Sequence, residues 1–141
     1  MADAARSLLT DLRHVLLTHH KALLDSERGR YDHDVERVKS TGQLLNLVLH
    51  DPFFAWLHEL SELIVLIDET LDADEPANAA DAARLLAQAR TLLTPSESGK
   101  GFRGQYFEAL QRDPDVVIAH GAAMKLLANL ALEADGRDRA Q

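Results

Sequence analysis

Apolar residues recur every three or four positions through most of this 141-residue chain. That spacing places side chains on one face of an α-helix, whereas a half-buried β-strand shows a strict two-residue alternation. β-branched residues occur only inside the helical pattern. The sequence therefore predicts an all-α fold, a bundle of about five helices with one short capped turn.

The segment from residue 51 to residue 71 has the widest apolar surface. Asp51 can accept hydrogen bonds from free backbone N–H groups, and Pro52 suits the first turn of a helix. At about 100° per residue, its apolar side chains fill an arc of about 180°, nearly twice the stripe that a surface helix needs. We therefore expect this helix at the centre of the bundle, with its core residues almost inaccessible to water. These residues are Leu60, Leu63, Ile64 and Ile67.

Helical periodicity also covers residues 3–26, 31–49, 79–93, 102–112 and 114–132. Gly29 is expected to close the first of these helices, and Asn78 to cap the one that begins at residue 79. The segment from Thr94 to Glu97 matches a capping box and predicts a single capped turn. We expect one domain over residues 1–133 and a frayed tail over residues 134–141.

Composition removes several classes of function. The chain has no cysteine, which excludes disulfides, thiol catalysis and thiolate metal sites. A formal net charge of −8 repels phosphate backbones, so nucleic-acid binding is not expected. The uninterrupted apolar run from Leu63 to Ile67 is far shorter than the ~20 residues of a membrane span. The N-terminus lacks the basic start and apolar block of a signal peptide, which predicts a cytoplasmic protein without a membrane partner.

Two histidines occupy the middle of predicted apolar faces, His19 on the first helix and His120 on the last. Buried histidines from two facing helices can ligate haem iron or a metal inside a bundle. The alternative is a pair of neutral core histidines, hydrogen-bonded to neighbouring helices. The sequence contains neither His-x-x-x-His nor Glu-x-x-His, so we favour the second interpretation and predict no cofactor.

Two further stretches of the sequence are candidate binding sites. His58 and Glu62 stand one helical turn apart, as metal ligands do, but their polar stripe favours a solvated pair. The loop from Ser98 to Gly104 combines glycines with basic residues that can wrap an anion. It lacks the spacing and the strand of a phosphate-binding loop, which favours a hinge. The alternative there is the pocket of a small-ligand binder or a helical enzyme, although no nucleophile motif supports catalysis.

An aromatic cluster near the start of the 51–71 helix is the strongest candidate for an interface. Phe53, Phe54 and Trp56 point in different directions, and Phe54 falls on the polar side of the helix together with Val65. Either another segment covers Phe54 or these four residues form an interface, where aromatics are enriched. The sequence thus favours a non-catalytic interaction or regulatory protein, a homodimer with a possible further protein partner.

Overall fold

A computed structural model describes residues 2–97 and 99–140, with side chains placed for residues 3–97 and 99–136. Six α-helices and one 3₁₀ helix make up this part of the chain, which contains no strand. The α-helices are α1 Ala2–Asp34, α2 Thr41–His50, α3 His58–Asp72, α4 Ala79–Leu92, α5 Phe102–Arg112 and α6 Pro114–Ala140, and the 3₁₀ helix is Pro52–Leu57. The all-α bundle is therefore confirmed.

The centre of the bundle is α1, a helix of 33 residues. It packs against α3, α4, α6 and the 3₁₀ helix. Consecutive positions are buried together along it, so two adjacent faces of one helix meet different neighbours. Its fully buried apolar residues include Leu8, Leu9, Leu12, Leu16 and Leu23. The prediction that the 51–71 helix occupies the centre is wrong, because that helix is one of several packed around α1.

The boundary between the first two helices also lies elsewhere than the sequence predicts. Gly29 does not end α1, which continues through Tyr31 to Asp34 because Glu27 and Tyr31 on this last part are buried against other elements. The second helix begins only at Thr41, after Ser40, whose hydroxyl accepts a hydrogen bond from the backbone N–H of Gln43. None of the ten residues of α2 is buried. Its main contact is with the 3₁₀ helix.

The predicted start of the next helix is confirmed. The Asp51 carboxylate accepts a hydrogen bond of 2.8 Å from the backbone N–H of Phe53, and Pro52 is the first residue of the 3₁₀ helix. The chain becomes α-helical only at His58. The four residues predicted to be inaccessible are buried, namely Leu60, Leu63, Ile64 and Ile67. Leu66 is exposed, so the buried arc is narrower than the apolar arc of the sequence.

The last three helices begin where the sequence predicts. Asn78 and Asp81 form a reciprocal capping box at the start of α4. The predicted capped turn after α4 is wrong in detail, because the Thr94 hydroxyl donates to the carbonyl of Arg90 and caps nothing. α5 has the predicted bounds, and α6 extends beyond Leu132 to Ala140.

Candidate functional site

Three buried or half-buried rings form a continuous hydrogen-bonded chain between α1, α5 and α6. The Nε2 atom of His19 lies 2.8 Å from the hydroxyl of Tyr106, and the same hydroxyl lies 2.5 Å from Nδ1 of His120. His19 is 2% exposed, Tyr106 is fully buried, and His120 is half-buried. The structure thus brings together the two histidines that the sequence singled out, with Tyr106 between them.

Burial keeps all three rings neutral near pH 7. Desolvation, with smaller contributions from His120 and His20, lowers the pKa of His19 to about 4. Desolvation also lowers the pKa of His120 and raises the pKa of the Tyr106 hydroxyl. Each ring therefore carries one exchangeable proton, and the chain of bonds has a direction.

The single Tyr106 O–H can donate to only one of the two histidines, so the other histidine donates a ring N–H to the hydroxyl oxygen. The ring tautomers decide which bond runs in which direction. The Nδ1 atom of His19 is buried and has no hydrogen-bond partner in the described part of the chain.

A groove with a volume of about 200 Å³ lies between α1 and α6 beside this ring. His19 forms part of its wall, and most of the other lining residues are apolar. The groove is lined by His14, Val15, Thr18, His19, Ala22, Ala119, Ala122, Ala123 and Leu126. Because His14, Thr18, Ala122 and Leu126 are exposed, the groove opens to solvent on their side.

The histidines considered as metal or haem ligands have hydrogen-bond partners within the protein. Tyr106 engages one ring nitrogen of His19 and one of His120. His58 does not act with Glu62: its Nε2 lies 2.8 Å from the carbonyl of Val48, and Glu62 is exposed. Among the described residues no three His, Asp or Glu side chains are grouped to hold a metal ion.

His20 and Ser61 form a pair that the sequence analysis did not find. The Ser61 hydroxyl lies 2.9 Å from Nε2 of His20 and 3.4 Å from the carbonyl of Leu57. A serine beside a histidine is the first requirement of nucleophilic catalysis, but acyl transfer also needs donors for the developing oxyanion. Ser61 is the fourth residue of α3, in the first turn of that helix. The hydrogen bond between the two side chains links α1 to α3.

A buried carboxylate joins three elements at the other end of α1. Glu27 is fully buried and accepts hydrogen bonds from Arg30 at 2.9 and 3.2 Å and from the indole of Trp56 at 3.1 Å. Arg112 of α5 forms a further ion pair with it. The sequence analysis missed this network, although Glu27 lies four residues after Leu23 and four before Tyr31 on the apolar face of α1.

The predicted aromatic interface rests on an exposed Phe54, and this premise is wrong. Phe54 is 0% exposed, with its ring centre 5.5 Å from that of Tyr31 and 5.3 Å from that of Phe53. The Arg30 guanidinium covers the Phe53 ring at 3.8 Å. Trp56 is half-buried, packs against Phe102 and donates to Glu27. Of the four residues named for the interface, Phe53, Phe54, Trp56 and Val65, only Val65 is exposed.

The apolar surface of the molecule lies instead on α6 and α2. On α6, Ile118 is 71% exposed and Leu132 is 69% exposed. The segment Pro114–Gly136 is long and apolar enough to cross a membrane by composition, and only 22% of its apolar stretch is buried inside the bundle. Length and composition alone are weak evidence for a membrane span. The low burial shows that the rest of the bundle leaves α6 largely uncovered. The apolar composition of residues 114–136 is visible in the sequence, but the expectation above considered only the 51–71 segment as a possible membrane span.

The glycine-rich loop is held by hydrogen bonds to its own flanking residues. Arg103 donates from Nε to the carbonyl of Thr94 at 2.8 Å, and the N–H of Ser96 donates to the carbonyl of Arg103 at 3.2 Å. Gly101 has a φ of 71°, a conformation that favours glycine. A Cβ atom added at Gly104 would overlap the carbonyl of Gly99, so the two backbones pack directly. Ser98, the first residue of the predicted loop site, lies outside the described residues.

Comparison with known proteins adds no identity to these observations. No protein-family model matches the chain, no curated protein is similar to it, and no solved structure resembles it. The function must therefore be inferred from the geometry of the chain itself.

Proposed function

We propose that this protein is a non-catalytic helical-bundle module that self-associates through one surface of α6. We call this surface the α6 outer face; it consists of Val117, Ile118, Gly121, Lys125, Ala128 and Leu132, all of them exposed. The observation that carries the proposal is the exposure of Ile118 and Leu132 on a helix that is apolar over most of its length. Contiguous apolar surface of this kind is typical of interfaces.

A second copy of the chain fits this surface better than a lipid bilayer does. Helices that lie on membranes carry several Lys or Arg side chains beside aromatic anchors, whereas Lys125 is the only Lys or Arg from residue 114 to residue 136 and that segment contains no aromatic residue. The net charge of −8 also opposes attraction to anionic lipids. The opposite side of α6 packs on the bundle through Val116, Ala123 and Leu127, so the helix is already held by its own chain. A cytoplasmic location, expected from composition, belongs to the same proposal.

The α6 outer face is compatible with an antiparallel twofold pair. With the axis between Gly121 and Lys125, Gly121 of one copy lies opposite Lys125 of the other. Apart from the helix backbone around Gly121, no atom of the described residues lies within 4 Å of the position that a Cβ there would take, which leaves room for the lysine stem. The ammonium group can then reach solvent. No acidic residue occurs between residues 116 and 132, so the pair buries no opposed carboxylates.

The size of the face sets the expected affinity. Residues 117–132 extend about 24 Å along the helix, which is about 10 Å wide. This is less than the ~800 Å² that each partner buries in a stable interface. We therefore expect a dimer with a dissociation constant in the micromolar range, with residues beside α6 completing the contact.

Analytical ultracentrifugation at several concentrations tests the proposal. The wild-type protein should be dimeric at about 100 μM and dissociate on dilution. The double variant Ile118→Glu/Leu132→Glu should remain monomeric, because each new carboxylate would be desolvated in the interface. The matched control is Leu45→Glu/Leu49→Glu, which changes two leucines of α2 that are 59% and 56% exposed.

The control should dimerise as the wild type does. A wild-type protein that is monomeric at 100 μM would refute the proposal. Dissociation by the α2 substitutions but not by the α6 substitutions would also refute it, and would move the interface to α2.

A further inference from the structure

We propose that a groove between α4 and α5 binds a small organic anion through two arginines. The groove has a volume of about 490 Å³ and is bounded by the start of α3, one face of α4 and the first turn of α5. We call it the arginine groove, after Arg84 of α4 and Arg103 of α5, which both line it. Among the described residues none of α6 lines this groove, so the proposal is independent of self-association.

Arg103 supplies a guanidinium group that the protein holds in place but does not neutralise. Its Nε–H donates to the carbonyl of Thr94 at 2.8 Å, which fixes the plane of the group and leaves its terminal N–H groups for other acceptors. Arg103 is half-buried and forms no ion pair with a described residue, although acidic residues outnumber Lys and Arg by 23 to 15. A guanidinium that is already oriented suits a carboxylate or a phosphate, because less conformational entropy is lost when the anion binds.

One face of α4 provides the other donors of the groove. Arg84, Gln88 and Thr91 follow each other at four and three residues, so they share this face. They add a second guanidinium, an amide and a hydroxyl, each of which can donate to an anionic oxygen. Arg84 is held only loosely by Asp81, because the distance between their nitrogen and oxygen atoms is 3.6 Å and the Arg84 side chain is 57% exposed. Its guanidinium can therefore turn toward a bound anion.

Glu59, the one acidic residue among those that line the groove, has its carboxylate near α5. Its Oε1 lies 3.4 Å from the position that a Cβ at Gly101 would take, and Gly101 is the residue before the first turn of α5. A negative charge is stabilised at this end of a helix. Glu59 forms no ion pair with a described residue, so an incoming anion displaces no carboxylate from Arg103.

The rest of the lining indicates that the anionic group belongs to an organic molecule. Ala87 and Leu92 add apolar surface beside the donors, and an inorganic ion would leave this surface uncovered. The volume of the groove falls in the range of sites that bind small molecules. Carboxylate and phosphate both match the paired N–H groups of a guanidinium, so the proposed ligand carries one of them on a small apolar body such as a single ring.

Benzoate, phenyl phosphate and benzamide are suitable probes. The first two carry the alternative anionic groups on the same ring, and benzamide has nearly the shape of benzoate without its charge. We expect at least one of the two anions to bind with a millimolar dissociation constant in titration calorimetry at constant ionic strength, because exposed ion pairs are weak. Benzamide should bind about ten-fold more weakly or worse. The tighter of the two anions identifies the anionic group of the ligand.

Three variants locate the site. Arg84→Gln/Arg103→Gln removes both guanidinium groups and should weaken the tighter anion by about ten-fold or more. Arg84→Gln alone leaves the bond between Arg103 and Thr94 in place and should weaken it by about three-fold. The matched control is Arg90→Gln, which makes the same change of charge at an exposed position of α4 outside the groove and should leave the affinity unchanged.

Three outcomes would overturn the proposal. They are the lack of saturable binding of either anion at millimolar concentration, equal affinity for benzoate, phenyl phosphate and benzamide, and equal losses in Arg84→Gln and Arg90→Gln. The last result would show a general effect of charge and no defined site. Binding should persist in the Ile118→Glu/Leu132→Glu protein, and its loss there would likewise contradict a site that contains no described residue of α6.

Discussion

The Tyr106 hydroxyl lies 2.8 Å from Nε2 of His19 and 2.5 Å from Nδ1 of His120, so one side chain bridges the two histidines inside the bundle. This relationship links α1, α5 and α6 through one hydroxyl group. It also couples the stability of the fold to pH, because protonating either histidine removes the arrangement in which each ring carries a single proton.

The first prediction concerns that pH dependence. The pKa of His19 is about 4 in the folded protein, against about 6.5 for a histidine in the unfolded chain. Between these values the unfolded chain binds more protons, so the stability is fully present above pH 6.5 and is lost as the pH falls toward 4. We expect the His19 contribution alone to reduce the free energy of unfolding by about 2 kcal/mol between pH 7.5 and pH 5.0.

Urea denaturation at the two pH values measures this loss. His20 and His120, whose pKa values are also lowered, add to it with the same sign. The exposed His33 provides the control: His33→Gln should retain the full pH dependence, and His19→Phe should lose most of it. A stability that stays constant from pH 7.5 to pH 5.0 would contradict the burial of a neutral His19.

The second prediction concerns the bridging hydroxyl. Tyr106→Phe leaves one ring nitrogen on each histidine without its partner, and we expect it to lower the free energy of unfolding by about 1–3 kcal/mol. Tyr31→Phe removes a hydroxyl from a second buried tyrosine, whose side chain makes no hydrogen bond to the described residues, and should cost less than about 0.5 kcal/mol. Equal losses in the two variants would show that the hydroxyl bridge contributes nothing specific.

The third prediction compares a buried ion pair with an exposed one. Glu27→Gln removes the charge that two arginines share. We expect a loss of about 2–3 kcal/mol, below the 3–5 kcal/mol of a fully buried pair, because both arginine side chains are about 30% exposed. Asp68→Asn breaks the exposed Arg13–Asp68 pair and should cost no more than about 1 kcal/mol. Chemical denaturation of both variants in the same buffer shows which of them loses more free energy of unfolding.

The fourth prediction uses two glycines that lie in helices. A Cβ at Gly29 meets no atom within 4 Å, so Gly29→Ala should stabilise α1 by up to about 1 kcal/mol. At Gly104 the added methyl overlaps the carbonyl of Gly99, and Gly104→Ala should destabilise the protein despite the same gain in helix propensity. Thermal unfolding should show a raised midpoint for the first variant and a lowered one for the second.

The sequence predicted those helix starts that depend on hydrogen bonds between residues two or three positions apart. Asn78 with Asp81, and Asp51 with Pro52, set helix starts by bonds that span two or three residues, and these starts are where the sequence placed them. Gly29 failed as a helix terminator because long-range packing of the following turn outweighs the cost of one interior glycine, about 1 kcal/mol.

The candidate site also has a part that the sequence predicted and a part that depends on contacts between distant residues. Periodicity placed His19 and His120 on apolar faces, but it could not reveal that Tyr106, separated from His19 by 87 positions, bonds to both. The burial of Glu27 was not predicted, because a charged residue on an apolar helix face is expected to be buried only when its partners are known. Those partners, Trp56 and Arg112, come from other elements.

The lack of any buried residue in α2 has a consequence for the motions of the molecule. A helix of ten residues is too short to be stable alone, and α2 is held by the partly buried Leu44, Leu47 and Val48. Its backbone amides should therefore exchange with deuterium through a local opening of much lower free energy than global unfolding, while those of α1 exchange only when the whole bundle opens. Each such opening would uncover the side of the 3₁₀ helix on which α2 packs. The fluorescence of a dye that binds apolar surface would therefore report on α2 before any other helix has melted.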